Sequence, residues 1–136
     1  MRFIIFLMLC IFLLSCSYSP SSIHISSVHI IANEWDLKLN TISAVSGDIT
    51  FELINKGKIV HEVVIIKTDL STDGLIMDGK YTVDEDASGE IIGEIGDTKP
   101  GKSNIETFTM VPGRYLLVCN EAGHYKAGMV AALEVK

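Results

Sequence analysis

Residues 114–135 read RYLLVCNEAGHYKAGMVAALEV. Two apolar runs, 114–119 and 129–136, flank a loop of small and polar residues. Working outward, residues 105–110 (IETFTM) lead into the first run through Val111-Pro112-Gly113, a turn signal. Residues 60–67 (VHEVVIIK) are strongly β-branched. Residues 49–55 alternate, with Ile49, Phe51 and Leu53 on one face and Thr50 and Glu52 on the other. Residues 23–32 are rich in Ile and Val. Gly47-Asp48, Asn55-Lys56-Gly57 and Pro100-Gly101 punctuate these runs, and no long amphipathic helix stands out. The pattern predicts an all-β fold, a two-sheet Greek-key sandwich of about six to eight short strands. The least regular stretch, 68–104, holds five of the eleven glycines before Pro100 and the acidic run Asp84-Glu85-Asp86. It is expected to be one long loop with one or two short strands, such as 90–95. There is no internal repeat and no second domain.

The chain has 136 residues, 48% apolar and 21% charged, which suits one compact domain. Eleven Lys and Arg against seventeen Asp and Glu give a net charge of −6. A nucleic-acid binder would carry a basic stripe, and none is present. A polytopic membrane protein would need several apolar runs of about 20 residues. A disulfide scaffold would need an even set of spaced cysteines, and there are three, two of them near the start.

The N-terminal segment has its own anatomy. Met1-Arg2 precedes an uninterrupted apolar run of 12 residues, 3–14. So short a run fits a signal-peptide core better than a membrane span. It ends in Leu13-Leu14-Ser15-Cys16, which resembles the lipobox of bacterial lipoproteins. The resemblance implies a signal peptide over 1–15, lipidation of Cys16, and a Ser-rich tether over 16–23. A domain over 24–136 would follow. The protein would then be exported and anchored rather than spanning, and periplasmic. Ser17, rather than Asp, after the cysteine points to the outer membrane in a Gram-negative cell. Cys10 leaves with the signal and Cys16 is acylated, so Cys119 is the one thiol left in the domain. In an oxidising compartment an unpaired thiol is a liability. It is either buried and inert or occupied by a metal.

The loop supports the second alternative. Cys119, His124 and Met129 recur five residues apart. Thiolate and thioether suit copper(I), and imidazole suits either copper oxidation state. Two histidines and a cysteine with a weak axial methionine make an electron-transfer copper site. The second histidine must come from another strand, and His61 follows an Asn/Gly turn at the head of one.

With these residues in place the chain resembles the cupredoxin family, in particular plastocyanin- and auracyanin-like electron carriers. Asn55-Lys56-Gly57-Lys58-Ile59-Val60-His61-Glu62 resembles the family's turn and first-histidine segment. Pro112-Gly113-Arg114-Tyr115, running on to Cys119-Asn120, resembles its penultimate strand. Gly123-His124-Tyr125 and 128–135 resemble its second-histidine loop and last strand. The resemblance implies His61, Cys119 and His124 as strong copper ligands and Met129 as the long axial one. It also implies that the carbonyl of Val60 approaches the opposite axial side, and that backbone N–H groups near Glu62 and in 119–124 donate to the sulfur. Glu62 stands where azurin-like members have Asn, which puts the usual cross-link between the ligand loops in question. By resemblance the His124 edge meets partners through a small apolar patch, with Val60, Pro112, Gly113, Ala122, Gly123 and Ala127 as candidates.

Other features carry less. His24 and His29 fall on opposite faces of an extended strand and are not expected to be ligands. Asp84-x-Asp86-x-Ser88-Gly89 resembles the start of a calcium loop, but Ile95 stands where a bidentate Glu is needed. The acidic stretch 84–97 reads as a solvated loop, with docking of a basic redox partner as its functional alternative. A dinuclear copper centre would need two cysteines. Trp35 reads as structural. The expected function is a monomeric, non-enzymatic carrier of single electrons holding one type 1 copper. Its partners would be c-type cytochromes, copper enzymes or oxidases. The alternative is copper storage, resistance or delivery.

Overall fold

The structure is a computed structural model that describes residues 26–136. The expected leader, Cys16, the tether and His24 lie outside the described residues. Alternation builds the first sheet. Strand β1 (Ser26–Asn33) buries Val28, Ile30 and Ala32, and β4 (Gly47–Asn55) buries Ile49, Phe51, Leu53 and Asn55. The two run parallel, with Val28 opposite Phe51 and Ile30 opposite Leu53. Strand β2 (Asp36–Leu39) folds back on β1, and β9 (Ser103–Met110) pairs antiparallel with β4, giving the order β2-β1-β4-β9.

The second sheet holds β3 (Ser43–Ala44), β11 (Val130–Val135), β10 (Gly113–Val118), β5 (His61–Lys67) and β8 (Glu90–Thr98), in that spatial order. Phe51, Leu53, Val63, Ile65, Ile95, Tyr115 and Leu117 are fully buried in the main apolar core. The unbroken apolar run of β5 has a separate cause, because both its faces are covered. Val64 and Ile66, with Leu116 and Val118 of β10, belong to a second cluster with Leu75, Val83 and Tyr125.

Much of that second layer comes from residues 68–89, which corrects the expectation of one long loop. They hold the short pair β6 (Met77–Asp78) and β7 (Thr82–Val83) and a single helical turn, α1 (Glu85–Ser88). Asp84 caps that turn by accepting from the Ala87 N–H at 3.0 Å, so the acidic run starts a helix rather than a solvated loop. Beyond it β8 is nine residues long, and Ile95 is core, not a calcium ligand. This extends the strand expected at 90–95, whose full length its glycines obscure. A Cβ on Gly93 would lie 2.2 Å from Cε1 of Phe108 on β9, so the glycine marks a close approach of the two sheets, not a turn. Among the described residues eight strands have four residues or more, as the sequence predicts, and β3, β6 and β7 have two each. No described helix is long and apolar enough to cross a membrane.

Strand β10 is antiparallel to both of its neighbours, with Val118 opposite Val64 and Val130. The end of β10 therefore meets the starts of β5 and β11 at one end of the sandwich. His61, Cys119 and Met129 all sit there.

Candidate metal centre

His61 opens β5 and is fully buried. Cys119, the residue after β10, is fully buried too, and its thiol is free. The Cys119 N–H donates to the Met129 carbonyl at 3.0 Å, and the Met129 N–H donates to the His124 carbonyl at 3.1 Å. These two bonds pin the neck of the loop. Inside it, His124 leads into a 3-10 turn, Tyr125–Ala127, which Gly128 ends at φ 111°. That positive φ suits glycine.

The donor atoms converge. Sγ of Cys119 lies 3.8 Å from Nδ1 of His61 and 3.2 Å from Nδ1 of His124. One donor atom from each of the three residues lies within 4.8 Å of the other two. Both rings present Nδ1 to the sulfur, with their centroids 5.1 Å apart. Donors that bind a borderline ion at about 2.0–2.3 Å stand roughly 3–4 Å from one another, so these three fit one metal ion. Met129 is fully buried in the same apolar cluster as Cys119.

The electrostatics agree with that fit. Burial pushes the Cys119 thiol up to about 11, while the N–H groups of Glu62 and Glu121, which point at the sulfur, pull the other way. A cation would offset the remaining cost of holding a thiolate there. His124 is held below the usual imidazole range by burial and by the neighbouring His61. It is therefore a neutral ring at physiological pH, the form that binds metal.

Acidic groups line one side. Carboxylate oxygens of Glu62, Asp97 and Glu121 lie within 4.8 Å of one another. Burial, then a hydrogen bond with Glu94 and the surrounding negative charges, push Glu62 up to about 7. The cross-linking work falls to two asparagines. Asn120 accepts from the Val83 N–H (2.6 Å) and donates to the Val83 carbonyl (3.1 Å) and Glu85 Oε1 (2.7 Å), tying the ligand loop to the outer layer. Asn55 is buried, donates to the carbonyls of Ile59 and Thr98 (2.7 Å each) and accepts from the Gly57 N–H (2.8 Å). It knots the turn that leads into His61.

Two further residues stand at the site. Glu34 and Trp35 form the tip of the β1–β2 hairpin, joined by a cis peptide bond. Trp35, expected to be structural, is 50% exposed and sets its ring edge-on to His124 at 5.1 Å and 74°. Oε1 of Glu34 lies 3.4 Å from Nε2 of His61. Short alternation resumes at Asp36-Leu37-Lys38 after Ile30-Ile31-Ala32, a hairpin signal that could have located this tip. The expected apolar patch also needs correction. Gly113 opens β10 and pairs with Val135, so it and Pro112 lie roughly 20 Å from Cys119 at about 3.3 Å per residue. Val60, Ala122, Gly123 and Ala127 stay close to the ligands in sequence. His29 is exposed and pairs with Glu52 Oε2 at 2.9 Å, and it is not among the grouped donors.

No protein-family model matches this sequence, and no curated protein matches it. Solved structures do. Dithionite-reduced auracyanin from Roseiflexus castenholzii is 22% identical, with a TM-score of 0.58 over 82% of this chain and 97% of its own. Auracyanin A from Chloroflexus aurantiacus, described as a blue copper protein, is 18% identical, with a TM-score of 0.57 over 82% and 99%. Rusticyanin from Thiobacillus ferrooxidans is 19% identical, with a TM-score of 0.57 over 82% and 78%. The fold is the β-sandwich of these cupredoxins.

Proposed function

We propose that His61, Cys119 and His124 hold one copper ion, with Met129 as a weaker fourth donor, and that the protein carries single electrons between redox partners. One observation carries this reading: two imidazole Nδ1 atoms face a buried, unpaired cysteine sulfur at 3.8 and 3.2 Å. Bound copper would supply a one-electron couple between copper(II) and copper(I). The chain supplies rigidity. The three donors sit at the ends of hydrogen-bonded strands and in a loop pinned at its neck, so they are held in one arrangement whatever the charge between them. His124, 7% exposed, and the half-exposed Trp35 packed on it connect the site with the surface.

The lipobox-like Leu13-Leu14-Ser15-Cys16 supports an exported, lipid-anchored protein. In a Gram-negative cell it would be periplasmic and, given Ser17, attached to the outer membrane. Incorporation of labelled palmitate that is lost in Cys16→Ala would support the anchor. The same setting makes c-type cytochromes, copper enzymes or oxidases the partners of a monomeric carrier. Stopped-flow mixing of the copper-loaded protein with a reduced c-type cytochrome tests the carrier role. Rapid single-electron exchange with copper retained is expected. Slow exchange, with copper passing to a chelator or an acceptor apoprotein, would favour storage or delivery instead.

A further inference from the structure

The tip of the β1–β2 hairpin places a carboxylate behind the first histidine. Nε2 of His61 is fully enclosed and makes no hydrogen bond among the described residues. Oε1 of Glu34 stands 3.4 Å from it, about half an ångström beyond a normal hydrogen bond. The same oxygen accepts from the N–H groups of Lys58 (2.6 Å) and Ile59 (3.2 Å). Gly57 roofs this arrangement. A Cβ there would lie 2.2 Å from Glu34 Oε1 and 3.0 Å from His61 Nε2. The turn is therefore shaped around the carboxylate, and the two amides hold it ionised, below its usual range.

We infer that Glu34 is a positioning residue for the metal centre: its carboxylate, 3.4 Å from Nε2 of His61, attracts Nε2–H and so favours the tautomer that frees Nδ1 to bind copper. The inference rests on the copper reading above. Its chemistry is simple. A neutral imidazole carries one N–H. Nδ1 faces the Cys119 sulfur, and once Nδ1 binds copper the proton sits on Nε2, inside the protein, where a bare N–H would be costly. A carboxylate there holds the ring orientation and raises the basicity of Nδ1. Its negative charge also favours copper(II) over copper(I) and so lowers the reduction potential.

The test compares wild type with Glu34→Ala and Glu34→Gln. Nitrogen-15 NMR of the metal-free proteins reads which His61 nitrogen carries the proton. Copper titration and redox titration read affinity and potential. Wild type is expected to hold the proton on Nε2, and Glu34→Ala to mix the two tautomers. Copper(II) affinity should fall about 10-fold or more in Glu34→Ala. A tenfold loss confined to copper(II) raises a one-electron potential by about 59 mV. Glu34→Gln keeps an acceptor without the charge, so it should restore the tautomer yet still raise the potential. An unchanged tautomer and potential in Glu34→Ala would overturn the inference. If that variant fails to fold, an unchanged potential in Glu34→Gln overturns it. Wild type that binds no copper defeats the copper reading alone, and the metal-free tautomer comparison then decides the role of Glu34.

Discussion

Burial strips water from the Cys119 sulfur, and the N–H groups of Glu62 and Glu121 return only part of that loss. A cation held between the sulfur and the imidazoles would offset the rest. Met129 differs in kind, because a thioether carries no charge and binds weakly. Met129→Leu keeps the buried volume nearly constant, so copper should stay while its potential rises by roughly 60 mV, a tenfold change in the affinity ratio. Cyclic voltammetry of the variant checks this, and a fall in potential would count against axial donation. Tyr115 makes a different kind of contact. Its buried ring carries a hydroxyl that donates to the Val111 carbonyl at 2.6 Å, and Tyr115→Phe should cost about 1 kcal/mol in urea unfolding. Burial holds the phenol above its usual value of 10.0, so the unfolded chain loses that proton first. Wild-type stability should therefore fall as pH rises past 10, and the phenylalanine variant should lack that part of the slope.

Among the elements, the turn before β5 and the loop after β10 hold the donors, and each depends on one asparagine. Asn55 spends its amide on two carbonyls and one N–H. Asn55→Ala leaves those groups buried and unpaired, at a cost of about 2 kcal/mol or more. Because Gly57 belongs to the same turn, copper(II) affinity should fall along with stability. Calorimetric titration beside urea unfolding separates the two losses, and a variant with wild-type affinity would show that the turn does not position His61. The elements that could be read in advance, β4, β5, β10 and β11, each carry an uninterrupted apolar or alternating run. Of residues 68–98 the sequence shows the strand at 90–95 but not the packed layer before it, because the glycines and acidic side chains there serve close sheet packing and a helix cap rather than solvent. Glu34 and the contact of Trp35 with His124 are not legible for another reason. Nothing in NEWD marks a site, and their role arises only when the hairpin tip lands beside two rings distant in the chain.

At the scale of the whole molecule, two apolar layers hold the sandwich together, and the donors sit at its end. The core cluster runs from Val28 to Val135 across both sheets, so metal removal should leave the fold intact. Copper then stabilises by mass action, about 2.7 kcal/mol at a free concentration 100 times Kd. Scanning calorimetry of metal-free and loaded protein should show one cooperative transition in each, with the loaded protein melting higher. An unfolded metal-free chain would contradict this. Three of the four candidate donors were legible because one loop carries them with distinctive chemistry. His61 needed only a β-branched run behind it.

In the proposed centre the Cys119 sulfur and two imidazoles share one copper ion. The direct measurement is the absorption and electron paramagnetic resonance spectrum of residues 17–136 with one equivalent of copper(II), beside Cys119→Ala. An intense thiolate-to-copper band with narrow hyperfine splitting, bleached by ascorbate and absent from the variant, is the expected result. A pale spectrum with ordinary tetragonal splitting, or an intense band that survives in Cys119→Ala, would contradict it.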